Sequence, residues 1–221
     1  MNEIALVIHD GDGNLYDTID HITRTTIAAF NAMGANVDEA NVYERFSAGV
    51  SLHKIFEELG PELDPHALED QFYTFDSSLG YEGVHPSVGL FEMLETFAAA
   101  GIRNAVASNR EQSSTLAILR HLGIVENYID AEFVACPPGH LSKPNPHQLQ
   151  FLINSAGILP DRAIMVGDTP GDIIAGKNAG VKATVGFTKG FGSKEALTEA
   201  GANLLIDDLS DLPAIVAELS Q

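Results

Sequence analysis

Apolar residues fall into two rhythms along this chain, one of strands and one of helices, and the rhythms alternate in a regular order. The opening run Ile4-Ala5-Leu6-Val7-Ile8 is unbroken and stops at His9-Asp10-Gly11-Asp12-Gly13. So short a run, ended by a glycine-rich turn, predicts a strand covered on both faces, as in a parallel sheet. After it, Ile19, Ile22, Thr26, Ala29, Phe30 and Met33 recur at helical spacing before Gly34. Leu52, Ile55, Phe56 and Leu59 repeat the pattern ahead of Gly60-Pro61. Leu68, Phe72 and Phe75 follow Asp64-Pro65, a cap with proline at the first helical position. From about Tyr16 to His85 only helices are predicted.

The alternation resumes at Pro86. Val88, Leu90, Phe91, Leu94 and Phe97 predict a helix ending at Gly101, followed by a strand over Ile102 to Ala107 and the polar tip Ser108-Asn109-Arg110. Leu116, Leu119 and Leu122 mark the next helix, stopped by Gly123, and Ala131 to Ala135 is a third strand candidate. Lys143-Pro144-Asn145-Pro146 leads into a helix carrying Leu149, Leu152 and Ile153. The strand Ala163 to Val166 then ends in Gly167-Asp168-Thr169-Pro170-Gly171-Asp172. A helix with Ile173, Ile174 and Ala179 follows, then two short strands, Lys182 to Val185 and Leu204 to Ile206. Repeated units of this kind imply right-handed crossovers with helices on both faces. The expected fold is α/β, a doubly wound, Rossmann-like parallel sheet, with residues 1–15 and 86–221 forming the core. Residues 16–85 would be a small all-helical cap inserted after the first strand.

Composition narrows the partners. A formal net charge of -19, with only 12 Lys and Arg and no basic cluster, repels nucleic acid and anionic membranes. No apolar window approaches the length of a membrane span, and no basic segment precedes a long apolar one, so a cytoplasmic protein is expected. The lone Cys136 has no partner for a disulfide within the chain and is read as buried filler. An anionic substrate would need a metal ion, a helix N-terminus or one of the few cations to hold it.

Four polar tips lie after strands or at a loop-helix junction: Asp10 with Asp12, Ser108, Lys143, and Asp168 with Asp172. In an open parallel sheet these are positions of chemistry, because ligands bind beyond the carboxyl ends of strands. Each tip has a use around a phosphoryl group. A carboxylate can attack phosphorus, a second carboxyl can protonate the leaving oxygen, and a hydroxyl with an ammonium can hold the equatorial oxygens. The remaining carboxylates suit Mg²⁺, which prefers oxygen ligands and keeps several waters. An EF-hand reading of Asp10-Gly11-Asp12-Gly13-Asn14 fails, since Leu15 stands where a glycine is needed and His21 where a bidentate Glu belongs. A plain turn would select the same Asp and Gly residues at any one tip.

Taken together, Asp10-x-Asp12-Gly13-x-Leu15-x-Asp17, Ser108-Asn109, Lys143-Pro144 and Gly167-Asp168-x-x-x-Asp172 resemble, in order, the four motifs of the haloacid dehalogenase superfamily of phosphatases. Gly190-Phe191-Gly192-Ser193 with Ala202-Asn203 resembles its phosphoglycolate phosphatase branch. The resemblance implies that Asp10 is the nucleophile and Asp12 the general acid and base. Ser108, Asn109 and Lys143 would bind the substrate phosphate. Mg²⁺ would be held by Asp10, Asp168 and the main-chain carbonyl of Asp12, with Asp172 acting directly or through water. It further implies a small phosphorylated metabolite as substrate, phosphoglycolate first, acted on by a monomer or homodimer, with the helical block as a lid. A sugar phosphomutase shares the fold and differs in where the phosphoryl group goes. A signalling receiver domain also uses an acidic cluster, a hydroxyl, a lysine and Mg²⁺, but it needs no inserted block. Two departures stand out. Asn14 replaces the usual Thr and is expected to bond to nearby turn backbone, and His9, ahead of Asp10, is expected to be hydrogen-bonded and partly buried.

Overall fold

The structure, a computed structural model, describes residues 3–48 and 50–220. In chain order these form β1 (Leu6–His9), β2 (Tyr16–Asp17), helices α1 (Ile19–Ala32), α2 (Glu39–Ser47), α3 (Leu52–Leu59) and α4 (Pro65–Ser78), and β3 (His85–Pro86). Helix and strand then alternate through α5 (Leu90–Ala100), β4 (Arg103–Ala107), α6 (Gln112–His121), β5 (Val134–Ala135), α7 (His147–Ala156) and β6 (Ala163–Gly167). The remainder is α8 (Pro170–Ala179), β7 (Ala183–Phe187), α9 (Lys194–Ala200), β8 (Leu204–Ile206) and α10 (Leu212–Leu219). Two compact units result, Met1–Asp17 with Pro86–Gln221, and Thr18–His85. Among the described residues no helix is long and apolar enough to cross a membrane.

The first unit is a six-stranded sheet in the order β5-β4-β1-β6-β7-β8. Its neighbours pair in parallel throughout. β1 lies inside the sheet, and Leu6, Val7, Ile8 and His9 are each fully buried, which is why the run carries no alternation of polar and apolar residues. Strand order reverses at β1, so the crevice of this doubly wound sheet opens beyond its carboxyl end. His9 is level with Val106 of β4 on one side and Val166 of β6 on the other. The residues that follow these three strands therefore leave the sheet side by side.

The second unit is built from the helices α1 to α4, with His85 of β3 at its end. Asp38 caps α2 by accepting from the Asn41 N–H at 3.1 Å, and Asp64 caps α4, with Pro65 in its first turn. Phe56 is buried between Phe30 and Phe72, with ring centroids at 5.5 and 6.5 Å in edge-on geometry. His21 and Asp76, both buried, face each other at 2.8 Å, and Tyr81 donates to Asp76 at 3.2 Å.

Several local expectations change. Tyr16 and Asp17 form a strand of the first unit, not the start of the helical block. Of the candidate strand from Ala131 to Ala135 only Val134 and Ala135 pair with β4, because Ala131–Phe133 turns as a 3-10 helix. Val88 precedes α5 and is exposed, and the helix instead buries Leu90, Met93, Leu94 and Phe97. α2, with Val42 and Phe46 buried one turn apart, carried too short a stripe to register as periodic.

His9 is more deeply placed than expected. Its Nε2 lies 3.1 Å from Asn104 Oδ1, a diagonal neighbour on β4, while Nδ1 is buried without a hydrogen-bond partner. Burial pushes the imidazole pKa down to about 4, against a smaller upward pull from Asn104. The folded protein thus holds His9 neutral, with Nε2–H donating. Unfolding frees the ring to bind a proton, so stability from this group is intact near neutrality and falls as pH drops below the unfolded value towards about 4. A His9→Gln variant should be destabilised at about pH 7, and its deficit relative to wild type should shrink by roughly 2–3 kcal/mol at about pH 4.5. Urea unfolding of both proteins at the two pH values measures this, and a deficit that stays constant would show that His9 does not titrate on unfolding.

Candidate active site

At the carboxyl edge of the sheet, β1 delivers Asp10, β4 delivers Ser108, and β6 delivers Asp168 followed by Asp172 in the first turn of α8. Asp10, Asp168 and Asp172 are all buried and can offer carboxylate oxygens within 4.8 Å of one another. Lys143 reaches the same point from the loop before α7. Its Nζ lies 2.7 Å from Asp10 Oδ1 and 2.6 Å from Asp172 Oδ1, with only 2% of its side chain exposed. The carboxylates are held individually. Asp10 Oδ1 accepts from the Gly11 N–H at 2.6 Å, and Asp168 Oδ2 from the Phe191 N–H at 2.7 Å. Asp172 Oδ2 accepts from Thr169 N and Oγ1 at 2.9 and 2.7 Å, which makes a catalytic-looking carboxylate also a helix cap.

These placements set the electrostatics. Burial raises the Asp10 pKa to about 7, the Asp172 charge adds to the rise, and Lys143 opposes it. Asp168 is raised well above the usual carboxylate range, first by burial and then by Asp10 and Asp172. Burial alone would lower Lys143, yet the Asp10 and Asp172 carboxylates outweigh it and hold the ammonium above its ordinary value.

Asp12 behaves differently from Asp10. It is partly exposed and is gripped by Arg110, whose Nε lies 2.9 Å from Oδ2 and whose Nη2 lies 2.8 Å from Oδ1, a fork-on-carboxylate pair. Arg110 is itself fixed, with Nη1 donating to Ser114 Oγ at 3.0 Å and the main-chain N–H to Ser108 Oγ at 3.1 Å. Asn109 uses its side chain on the lysine loop: Nδ2 donates to the Lys143 carbonyl at 3.0 Å and Oδ1 accepts from the Lys143 N–H at 2.7 Å. This reciprocal pair positions Lys143, so the Asn109 amide is committed to main chain rather than presented to a ligand. Gly11 sits against the Tyr16 hydroxyl, where a β-carbon would collide. Gly13 needs its positive φ of +77°, and a β-carbon there would strike the Asp168 carboxylate.

Whether a cation fits can be judged from the atoms present. Asp168 Oδ1 is buried without a hydrogen-bond partner. When ionised, the three buried carboxylates and one ammonium carry two net negative charges, which a divalent ion would neutralise. All candidate ligands are oxygens, as Mg²⁺ requires. The donor set fits the ion.

The structure brings together every sequence-nominated residue, though Asn109 arrives in a supporting position. Arg110 escaped notice as more than part of a polar tip, although it is one of only 12 cationic residues and directly follows Ser108-Asn109. The Gly190–Gly192 segment also has a physical role: Phe191 and Gly192 donate main-chain N–H groups to the Asp168 side chain and carbonyl, and a β-carbon at Gly190 would strike Asp168. Asn14 departs from expectation. Its main-chain N–H reaches the Gly11 carbonyl at 3.2 Å, but both polar atoms of its side chain are buried without hydrogen-bond partners, an arrangement costing about 1–3 kcal/mol per group.

The buried charge excess makes a stability prediction. In metal-free buffer Asp168→Asn should melt higher than wild type by roughly 2–4 °C for each kcal/mol of repulsion relieved. Mg²⁺ should raise the wild-type Tm more than that of the variant, since binding to the native state alone stabilises it. Scanning calorimetry with and without Mg²⁺ tests both, and an equal Mg²⁺ response in the two proteins would separate Asp168 from the ion.

Comparison with known proteins agrees with this geometry. The haloacid dehalogenase-like hydrolase family pattern matches residues 7–185. A phosphoglycolate phosphatase of Vibrio vulnificus strain YJ016 is 29% identical over 98% of this chain and 97% of its own length. The pyrophosphatase PpaX of Halalkalibacterium halodurans is 29% identical over 84% of this chain and 85% of its own. In fold, the chain is similar to a haloacid dehalogenase family hydrolase of Deinococcus radiodurans R1, crystallised with phosphate and sodium, at a TM-score of 0.75 and 24% identity, covering 99% and 97% of the two chains. The match spans the strands that carry Asp10, Ser108 and Asp168, and this chain belongs to the haloacid dehalogenase-like hydrolases.

Proposed function

We propose that the protein hydrolyses a small phosphomonoester through an aspartyl phosphate on Asp10. The observation that carries this reading is the convergence of Asp10, Asp168 and Asp172 on one buried point beside Lys143. Phosphoglycolate is the first candidate substrate, because a relative matching nearly the whole chain bears that activity in its name. The similarity to a pyrophosphatase keeps phosphoanhydrides in the assay panel.

In the proposed sequence a carboxylate oxygen of Asp10 forms a bond to phosphorus while the bond from phosphorus to the ester oxygen breaks. Asp12 gives its proton to that departing oxygen, so the organic product leaves with a hydroxyl group and not as an alkoxide. Water then attacks phosphorus, Asp12 takes its proton, the bond to Asp10 breaks, and inorganic phosphate leaves with the Asp10 carboxylate restored. Ser108 and Lys143 hold the oxygens of the transferred group, and Asn109 keeps the lysine loop in place. Arg110 aims the Asp12 carboxylate, and the pair must loosen whenever Asp12 carries a proton, since an acid oxygen cannot accept from both nitrogens as a carboxylate does. Asp10, Asp168, Asp172 and the Asp12 carbonyl would hold Mg²⁺, which supplies charge neutralisation at the phosphoryl oxygens.

The purified protein should release inorganic phosphate from members of a panel of phosphorylated acids, sugars and nucleotides, and only with Mg²⁺ or a similar hard cation present. Asp10→Asn should abolish phosphoenzyme formation in rapid-quench experiments, and Asp12→Asn should slow turnover by about 10² to 10⁴. Undiminished activity in excess chelator would remove the metal from the mechanism. Isomerised sugar phosphate without free phosphate would make the protein a mutase.

A further inference from the structure

The helical unit carries a second group of metal-ligating side chains in which nitrogen joins oxygen. His53 lies in the first turn of α3, and His66 and Glu69 lie in the first turn and a half of α4. The two imidazoles converge on one carboxylate. His53 Nδ1 lies 2.8 Å from Glu69 Oε1 and His66 Nδ1 lies 3.2 Å from Glu69 Oε2, with the ring centroids 5.3 Å apart. One ligand atom from each residue falls within 4.8 Å of the others. Two ligand atoms on a tetrahedral zinc ion, with bonds near 2.1 Å, stand about 3.4 Å apart. Small side-chain rotations therefore suffice to exchange the hydrogen bonds for an ion.

A further carboxylate stands behind the group. Glu57 Oε1 is 3.6 Å from His53 Nε2, the ring nitrogen facing away from Glu69. With a metal on Nδ1, His53 stays neutral by carrying its proton on Nε2, and Glu57 is placed to accept it. Metal-bound histidines are regularly oriented by such an outer carboxylate. Lys54, 3.1 Å from the other oxygen of Glu57, steadies that carboxylate without entering the group. His66 is 79% exposed, so an ion can reach the site from solvent and still find an open position for water.

We propose that His53, His66 and Glu69 bind one divalent ion of the zinc class, with Glu57 as the outer partner of His53. Imidazole selects Zn²⁺ and its neighbours over Mg²⁺, so this site and the oxygen-only cluster of the core divide two kinds of cation between them. The ion clips the start of α4 to the start of α3, two helices packed against each other. The proposal does not depend on the phosphatase reading.

The test uses the full chain, stripped of metal by chelator and returned to excess Mg²⁺ so that the core carboxylates are occupied. Zn²⁺ is titrated calorimetrically into wild type, His66→Ala and Glu69→Gln, and Co²⁺ serves as a spectroscopic probe. Wild type should bind a Zn²⁺ ion that both variants hold more weakly by about 10-fold or more, and visible Co²⁺ bands indicating nitrogen ligation should appear in wild type alone. The exposed position of His66 makes its replacement gentle to the fold, and a matching Tm in chelator confirms that any lost binding is local. Identical isotherms for the three proteins, or no uptake by wild type, would overturn the proposal.

Discussion

Negative charges that repel one another are packed at the ends of two parallel strands and in the first turn of the helix that follows one of them, and most of the local architecture answers that repulsion. Asp10, Asp168 and Asp172 cannot share a buried point without positive charge. Lys143 supplies part of it, and its ammonium survives burial only because two carboxylates face it. Around this centre, donors are supplied mainly by main chain: Gly11 to Asp10, Phe191 to Asp168, Thr169 to Asp172. Main-chain donors cannot rotate away, so the carboxylates keep their aim without long side chains to order.

Asp12 escapes this arrangement although one residue separates it from Asp10. The chain turns at Gly11, whose lack of a β-carbon admits the Tyr16 hydroxyl, and Asp12 emerges where solvent and Arg110 can reach it. Two aspartates of the same motif thus meet opposite surroundings. One is buried among like charges, and the other is paired with a guanidinium at the rim. A division of labour between nucleophile and proton carrier requires environments that differ in this way.

The doubly wound sheet was readable because β1 and β6 are covered on both faces and are written as apolar runs ending in polar tips, while β4 keeps only Ala105, Val106 and Ala107 apolar ahead of its own polar tip. Asp10, Ser108 and Asp168 could be nominated because strand ends in such a sheet converge, and Lys143 and Asp172, which lie in a loop and a helix turn, because the four motifs follow one another in order. What escaped were relations between side chains. Nothing in the order of residues says that Asn109 spends its amide on Lys143, that Arg110 turns towards Asp12, or that Asn14 goes unpaired, since each depends on loop geometry at sub-ångström scale. Short elements were lost for another reason. β5 has two residues and α2 buries only Val42 and Phe46, too few for any period to emerge.

The central place of β1 also constrains how the chain can assemble. Among the described strands it stands first in chain order, yet one neighbour, β4, lies beyond the whole helical unit, and the other, β6, comes only after α7. During translation an apolar segment with two open edges must therefore wait for both partners, while Thr18–His85 can gather its own short-range contacts at once. The centre of the active site therefore gains its full surrounding only once β6 has been made, and until then the open edges of β1 can mispair with another chain.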